Sequence, residues 1–230
     1  MKKLVIVLAA TALGLLFLGL AVWVGVGMYS ISGIEQPRYA VVEKRDGYEI
    51  RQYEPQLAAE VTVDGAFTAA TNRGFRQLAD YIFGNNTVQG TKSESIAMTS
   101  PVIEREGDDS SAPIAMTSPV VERSPETGKR VITFVMPSQY TVETLPRPNN
   151  EEVRIVEIPA RRCAALRFSG NMDDDKADRK KAELVALLDR DGIAHTGPPM
   201  LAQYNPPWTP PFMRRNEVMI ELTPETEPAP

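Results

Sequence analysis

After Met1, Lys2 and Lys3, the chain runs from Leu4 to Tyr29 with Thr11 as its one polar interruption before the closing tyrosine. No other stretch constrains the fold so tightly. As a helix the run spans roughly 39 Å, against a bilayer hydrocarbon core of about 30 Å. Inside that layer every backbone N–H and C=O must find an internal partner, which an apolar helix provides. The rival assignment is a cleaved signal peptide. The apolar core of such a peptide is about 7–15 residues, well short of this run, and Ser30-Ile31-Ser32 makes a poor small-x-small cleavage site. The segment therefore reads as an uncleaved anchor over residues 4–29, with a cytoplasmic stub at 1–3. Lys2 and Lys3 favour a cytoplasmic N-terminus, against a counter-vote from Arg38, Lys44 and Arg45 beyond the run. The remainder is then expected outside the cytoplasmic membrane, in the periplasm if the source is bacterial. No cysteine follows the run, which argues against a lipid-anchored lipoprotein.

A second feature is a near-perfect internal repeat. Residues 96–105 read I-A-M-T-S-P-V-I-E-R, and residues 114–123 read I-A-M-T-S-P-V-V-E-R. Chance does not produce this in 230 residues. The alternation sets Ile96, Met98, Ser100 and Val102 on one face of an extended segment, and Ala97, Thr99 and Pro101 on the other. With the polar stretch 106–112 between them, the two copies are expected to form a β-hairpin. Pro101 and Pro119 should bend each strand or take it out of the ladder.

The rest of the chain reads as strands around two helices. Strands are expected at 39–43, 48–53, 57–63, 130–136, 153–158, 163–168, 200–204 and 217–222. Residues 66–83 read as a helix, because Phe67, Ala70, Gly74, Leu78 and Ile82 recur at helical spacing. A second helix is expected over 173–190. Asp173, Asp174 and Asp175 crowd its start, where free amides favour negative charge, and Gly192 stops it. Residues 30–37 form a linker. The Pro- and Glu-rich tail 223–230 is expected to be disordered. Each half thus runs strands, helix, strands. The class is α+β with two pseudo-repeated halves, too interdependent to be separate domains.

The motifs in their order resemble the SOUL haem-binding family. They are Y-E-I-R-Q-Y (48–53), Y-I-F-G-N-N (81–86), I-A-M-T-S-P-V, F-V-M-P-S-Q-Y-T-V-E-T-L-P-R-P (134–148), F-S-G (168–170) and Y-N-P-P-W-T-P-P-F-M-R-R-N-E-V (204–218). The resemblance covers residues 38–222. It implies a twisted or barrel-like antiparallel sheet with two flanking helices. It also implies affinity for haem or another tetrapyrrole at an apolar groove beside the first of them. Some members carry a histidine in the Y-E-I-R-x-Y motif that has been proposed to bind iron. Here that position is Gln52, a poor iron ligand. Other members hold haem through apolar contacts and basic groups near the propionates, and this chain is expected to follow them.

Candidate contacts follow from that mode. On the first soluble-domain helix, Phe75, Leu78 and Ala79 offer an apolar groove wall, with Arg73 and Arg76 near enough to pair with propionates. Asn72 stands where some members have an arginine. Arg214 and Arg215 open the last strand, available to an anion or to acidic neighbours. Tyr204 and Trp208 precede them, with rings able to cover a porphyrin or to pack the loop. His195, the one histidine, falls in an expected loop after Gly192 and reads as an ordinary loop residue. Met98 and Met116 read as core fillers, and Cys163 as a small buried residue. A single cysteine allows no internal disulfide, and one histidine beside it makes a zinc site improbable.

Net charge is −5 and the pI about 5.1, with no basic stripe, so nucleic acid is not an expected partner. No G-x-S-x-G or acid–base constellation appears, so no enzyme activity is expected. The leading expectation is a membrane-anchored domain that binds haem or a related tetrapyrrole reversibly, as carrier, buffer or sensor. The alternative is a cell-envelope interaction or structural module that binds no haem. A third is an enzyme acting on a tetrapyrrole or another apolar small molecule.

Overall fold

The structure is a computed structural model and describes residues 2–29, 32–88, 93–106 and 128–224. Helix α1 (Lys2–Tyr29) takes up the apolar run and is long and apolar enough to cross a bilayer. The first half continues with β1 (Tyr39–Lys44), β2 (Glu49–Tyr53), β3 (Gln56–Asp64), α2 (Phe67–Ile82), β4 (Asn86–Thr87), β5 (Val102–Glu106) and β6 (Lys129–Val135). The second holds β7 (Arg147–Pro148), β8 (Arg154–Ile158), β9 (Arg161–Phe168), α3 (Asp174–Asp191), β10 (His195–Gln203) and β11 (Asn216–Leu222).

Nine strands form one curled antiparallel sheet in the order β1-β2-β9-β11-β10-β5-β6-β3-β8. The order is nearly symmetric about the β10–β5 seam. There β10 answers β5, β11 answers β6, β9 answers β3, and β2 answers β8. The outer strands are exchanged. β2, from the first half, pairs with β9 of the second, and β8, from the second, pairs with β3 of the first. This exchange gives the expected interdependence of the halves a physical form: neither half can complete its own sheet.

Alternation along the strands sorts the core into layers. On one face α2 covers Ala59, Val61, Ile132 and Phe134, while α3 covers Ala164, Leu166, Val218 and Ile220. The opposite face carries Tyr53, Cys163, Ala165, Ala202 and Met219. α2 sits very close to the sheet because Gly74 has no side chain. A Cβ there would overlap Ile132, lying 2.8 Å from its Cβ. α3 has the ends its sequence prescribes. The Asp173 carboxylate accepts from Lys176 N at 2.8 Å, and Gly192 closes the helix at φ +66°.

One expectation from the repeat needs correction. Residues 96–101 are not a strand. Ile96 N donates to Ile82 O at 2.7 Å, Ser100 N to Glu35 O at 3.0 Å, and Ser100 Oγ to Tyr204 O at 3.0 Å. These contacts run to several different elements, so the segment is a strap across the fold. Only its end, Val102–Glu106, joins the sheet as β5, and there β6 and β10 occupy both edges. The expected hairpin with the second copy, 114–123, falls outside the described residues. His195 also departs from its expected loop: it opens β10, opposite Leu222, before a register shift at the prolines that follow.

Candidate functional site

α2 presents two faces. Ala70, Leu78, Tyr81 and Ile82 point into the core, and Leu78 is completely buried. Ala79 is buried as well. Leu78 is thus inside the helix–sheet interface, not on an open wall. Phe75 is half-buried, edge-on to Phe134 with centroids 5.3 Å apart. Arg73 and Arg76 are exposed. Arg73 Nη1 donates to Asp64 O at 3.3 Å, and Arg76 forms no ion pair among the described residues. Both guanidiniums can turn toward an anion.

The other expected contacts are committed elsewhere. Glu217, fully buried on β11, gathers them. Arg51 Nη1 donates to its Oε2 at 2.8 Å and Nη2 to its Oε1 at 3.1 Å. Arg215 Nε donates to Oε1 at 2.9 Å, and Tyr204 Oη to Oε2 at 2.8 Å. The Arg215 guanidinium stacks on the Tyr204 ring at 3.8 Å, and that of Arg51 lies 4.5 Å over Tyr39. Burial pushes the Glu217 carboxyl up, but the hydrogen bond and charge of Arg51, with Arg215 and Tyr204, outweigh it and hold the group below its ordinary range. Burial and the neighbouring Glu217 charge push the Tyr204 phenol up, so it stays a donor. Arg214 clamps a loop instead: Nε donates to Thr209 O at 2.8 Å, Nη1 to Asn171 Oδ1 at 2.9 Å, and Nη2 to Pro207 O. Tyr204, Arg214 and Arg215 thus do not converge with α2 on one site.

Glu217 and Arg51 were the functional-looking residues that sequence reading left unassigned. A signal existed. Each is a charged residue at an inward position of an alternating strand, inside Y-E-I-R-Q-Y and R-R-N-E-V.

The candidate iron ligands are likewise placed. Cys163 is fully buried, and burial pushes its thiol up to about 11, so it is a neutral thiol. Met98 packs half-buried on the α2 side of the core, and Met116 lies outside the described residues. His195 is half-exposed at the edge of β10. Among the described residues, no group of three or more His, Cys, Asp or Glu is placed to hold a metal ion.

Two clefts adjoin each other at Pro55, Gln56 and Leu57, about 310 and 420 Å³ in volume. Neither includes an α2 residue. Glu35, Glu54, Glu143 and Glu157 line them against one guanidinium, Arg38. That balance repels a dicarboxylate such as haem, so the clefts do not fit it.

A family model described as SOUL heme-binding protein matches residues 34–221. The chain belongs to this family. Its motifs therefore carry the scaffold across nearly the whole SOUL domain. Among solved structures, the EcmrR C-terminal domain is similar at 9% identity and TM-score 0.54, covering 80% of this chain and 98% of that one. EcmrR in its complex with DNA is similar at 9% and TM-score 0.53, covering 76% and 57%. At such identity the likeness shows the fold alone. No curated protein matches the chain in sequence.

Proposed function

We propose that the chain is a membrane-anchored SOUL domain that binds haem or a related tetrapyrrole reversibly on the outer side of α2, as a carrier, buffer or sensor. Family membership over residues 34–221 carries this reading. Arg73 and Arg76 support the location, since they are the predicted basic contacts not already committed inside the fold. They would face the propionates, with the exposed part of Phe75 against the macrocycle. Bound haem supplies a flat apolar ring and an iron centre. α2 itself carries no histidine, cysteine or methionine, which suits exchangeable binding. α1 supports anchoring. The charge at Lys2 and Lys3 supports a cytoplasmic N-terminus with the domain on the far side. One observation favours the non-haem envelope module: Tyr204, Arg214 and Arg215 serve internal structure.

The test is a hemin titration of the full chain in detergent, followed at the Soret band. Saturation at micromolar hemin is expected, and its absence refutes haem binding. Two exposed charge contacts are worth about 0.5–1 kcal/mol each, so Arg73→Ala/Arg76→Ala should weaken binding by roughly 5–30-fold. Unchanged affinity overturns the α2 location. A loss on Arg215→Ala, at temperatures where that variant is folded, would return the site to the last strand.

A further inference from the structure

One loop touches the apolar helix. Gly27 is the sole buried residue of α1, and a Cβ there would lie 2.8 Å from Pro210 Cδ. One turn earlier on the same side, Trp23 Nε1 donates to Trp208 O at 2.8 Å. Loop 205–213 therefore packs along the last two turns of α1, burying Thr209 and Pro210.

That loop is stiff. It holds Pro206, Pro207, Pro210 and Pro211. Arg214 ties down Thr209 and Pro207, Gly170 N donates to Pro211 O at 2.9 Å, and Arg215 N donates to Asn205 Oδ1 at 2.6 Å. Yet it turns two large aromatic side chains outward: Trp208 is 56% exposed and Phe212 64%. Scattered apolar exposure needs no explanation. Two aromatics on a braced loop that abuts an exposed apolar helix do.

Depth arithmetic suggests the explanation. A hydrocarbon core of about 30 Å takes up about 20 helical residues. Counted from Leu4, it ends near Trp23. The rest of α1, to Tyr29, rises about 9 Å further, through a headgroup layer of about 5–8 Å. The contacts at Trp23 and Gly27 thus lie at the boundary of hydrocarbon and headgroups, where tryptophan and tyrosine are enriched.

We infer that loop 205–213 is a second membrane contact. Trp208 and Phe212 enter the interfacial layer of the bilayer that α1 crosses, and the SOUL domain sits against the lipid in a fixed orientation. The occupant is phospholipid, recognised by burial of amphipathic ring surface. The inference rests on α1 being the anchor proposed above.

The chain contains two tryptophans, which makes the test direct. The full chain is reconstituted into phosphatidylcholine vesicles, with and without lipid brominated high on the acyl chain. In Trp208→Phe, Trp23 is the only reporter, and its quenching checks the anchor. In Trp23→Phe, Trp208 reports on the loop and is expected to lose emission to brominated lipid as Trp23 does. Quenched Trp23 with unquenched Trp208 overturns the loop contact and leaves the anchor standing. Unquenched Trp23 overturns the anchor itself. A second reporter position comes from Trp23→Phe/Trp208→Phe/Phe212→Trp, which moves the single tryptophan across the loop. It too must be quenched, and full emission from it sinks the proposal.

Discussion

Glu217→Gln should be the most damaging single isosteric change in this domain. The glutamate side chain is wholly buried and that of Arg51 only 3% exposed, so the amide would leave a guanidinium in the interior without its counter-charge. Breaking a buried pair in this way costs about 3–5 kcal/mol. Two features decide where in that range it falls. Arg51 keeps Glu49 at 2.9 Å, which is one-third exposed and partly screened. Arg215, at 2.8 Å from Glu217, loses the same partner but can still donate to Gln36. The lower end, about 3 kcal/mol, is therefore expected, a fall of roughly 6–12 °C in Tm for a domain of this size.

Urea unfolding of the full chain in detergent measures it. The pH dependence adds a second signature. The folded carboxyl titrates below its ordinary 4.5, so its stabilisation is fully present above that value and is lost as pH falls through the lower folded one. The gap between wild type and Glu217→Gln should hold at neutral pH and narrow in acid. Arg51→Met/Glu217→Leu removes both charges and should cost less than the sum of the single changes. A Glu217→Gln protein within about 0.5 kcal/mol of wild type would refute the reasoning, as would additivity of the pair within that margin.

Gly74→Ala adds helix propensity worth about 1 kcal/mol but drives a methyl into Ile132, and overpacking costs about 1–3 kcal/mol. A net loss near 1 kcal/mol in urea is expected, and a stabilised variant would contradict the close approach of α2 to the sheet. Cys163, buried and with its thiol pushed up to about 11, should resist iodoacetamide in the native chain and react only in urea. Rapid native labelling would show that the sheet opens at β9.

Local patterns in the sequence reached the elements they govern. The α3 boundaries follow from Asp173 and Gly192, whose effects need only the adjoining turn of backbone. The α2 stripe and most strands follow from periodicity, because each needs one buried face. Residues 96–101 alternate equally well and are no strand. Their partners are Ile82 O, Glu35 O and Tyr204 O, which alternation cannot reveal. The internal commitments of two candidate residues were hidden for a related reason. Arg215 and Tyr204 have the chemistry to hold propionates, and nothing local tells that Glu217 claims them both.

The same residues explain why the family motifs identify the scaffold better than the ligand. Y-E-I-R-Q-Y supplies Arg51, Y-N-P-P-W supplies Tyr204, and R-R-N-E-V supplies Arg215 and Glu217. All four meet in one hydrogen-bonded knot. Arg51 lies on β2, a strand of the first half that completes the sheet of the second, and Glu217 lies on β11 of that second half. The knot therefore pins β2, the exchanged strand, to the second half, a demand of this fold whatever the chain binds. In the proposed binding mode, ligand contact falls to side chains that the fold does not need, such as Arg73 and Arg76. Sequence motifs mark such free positions least, because the scaffold places no demand on them.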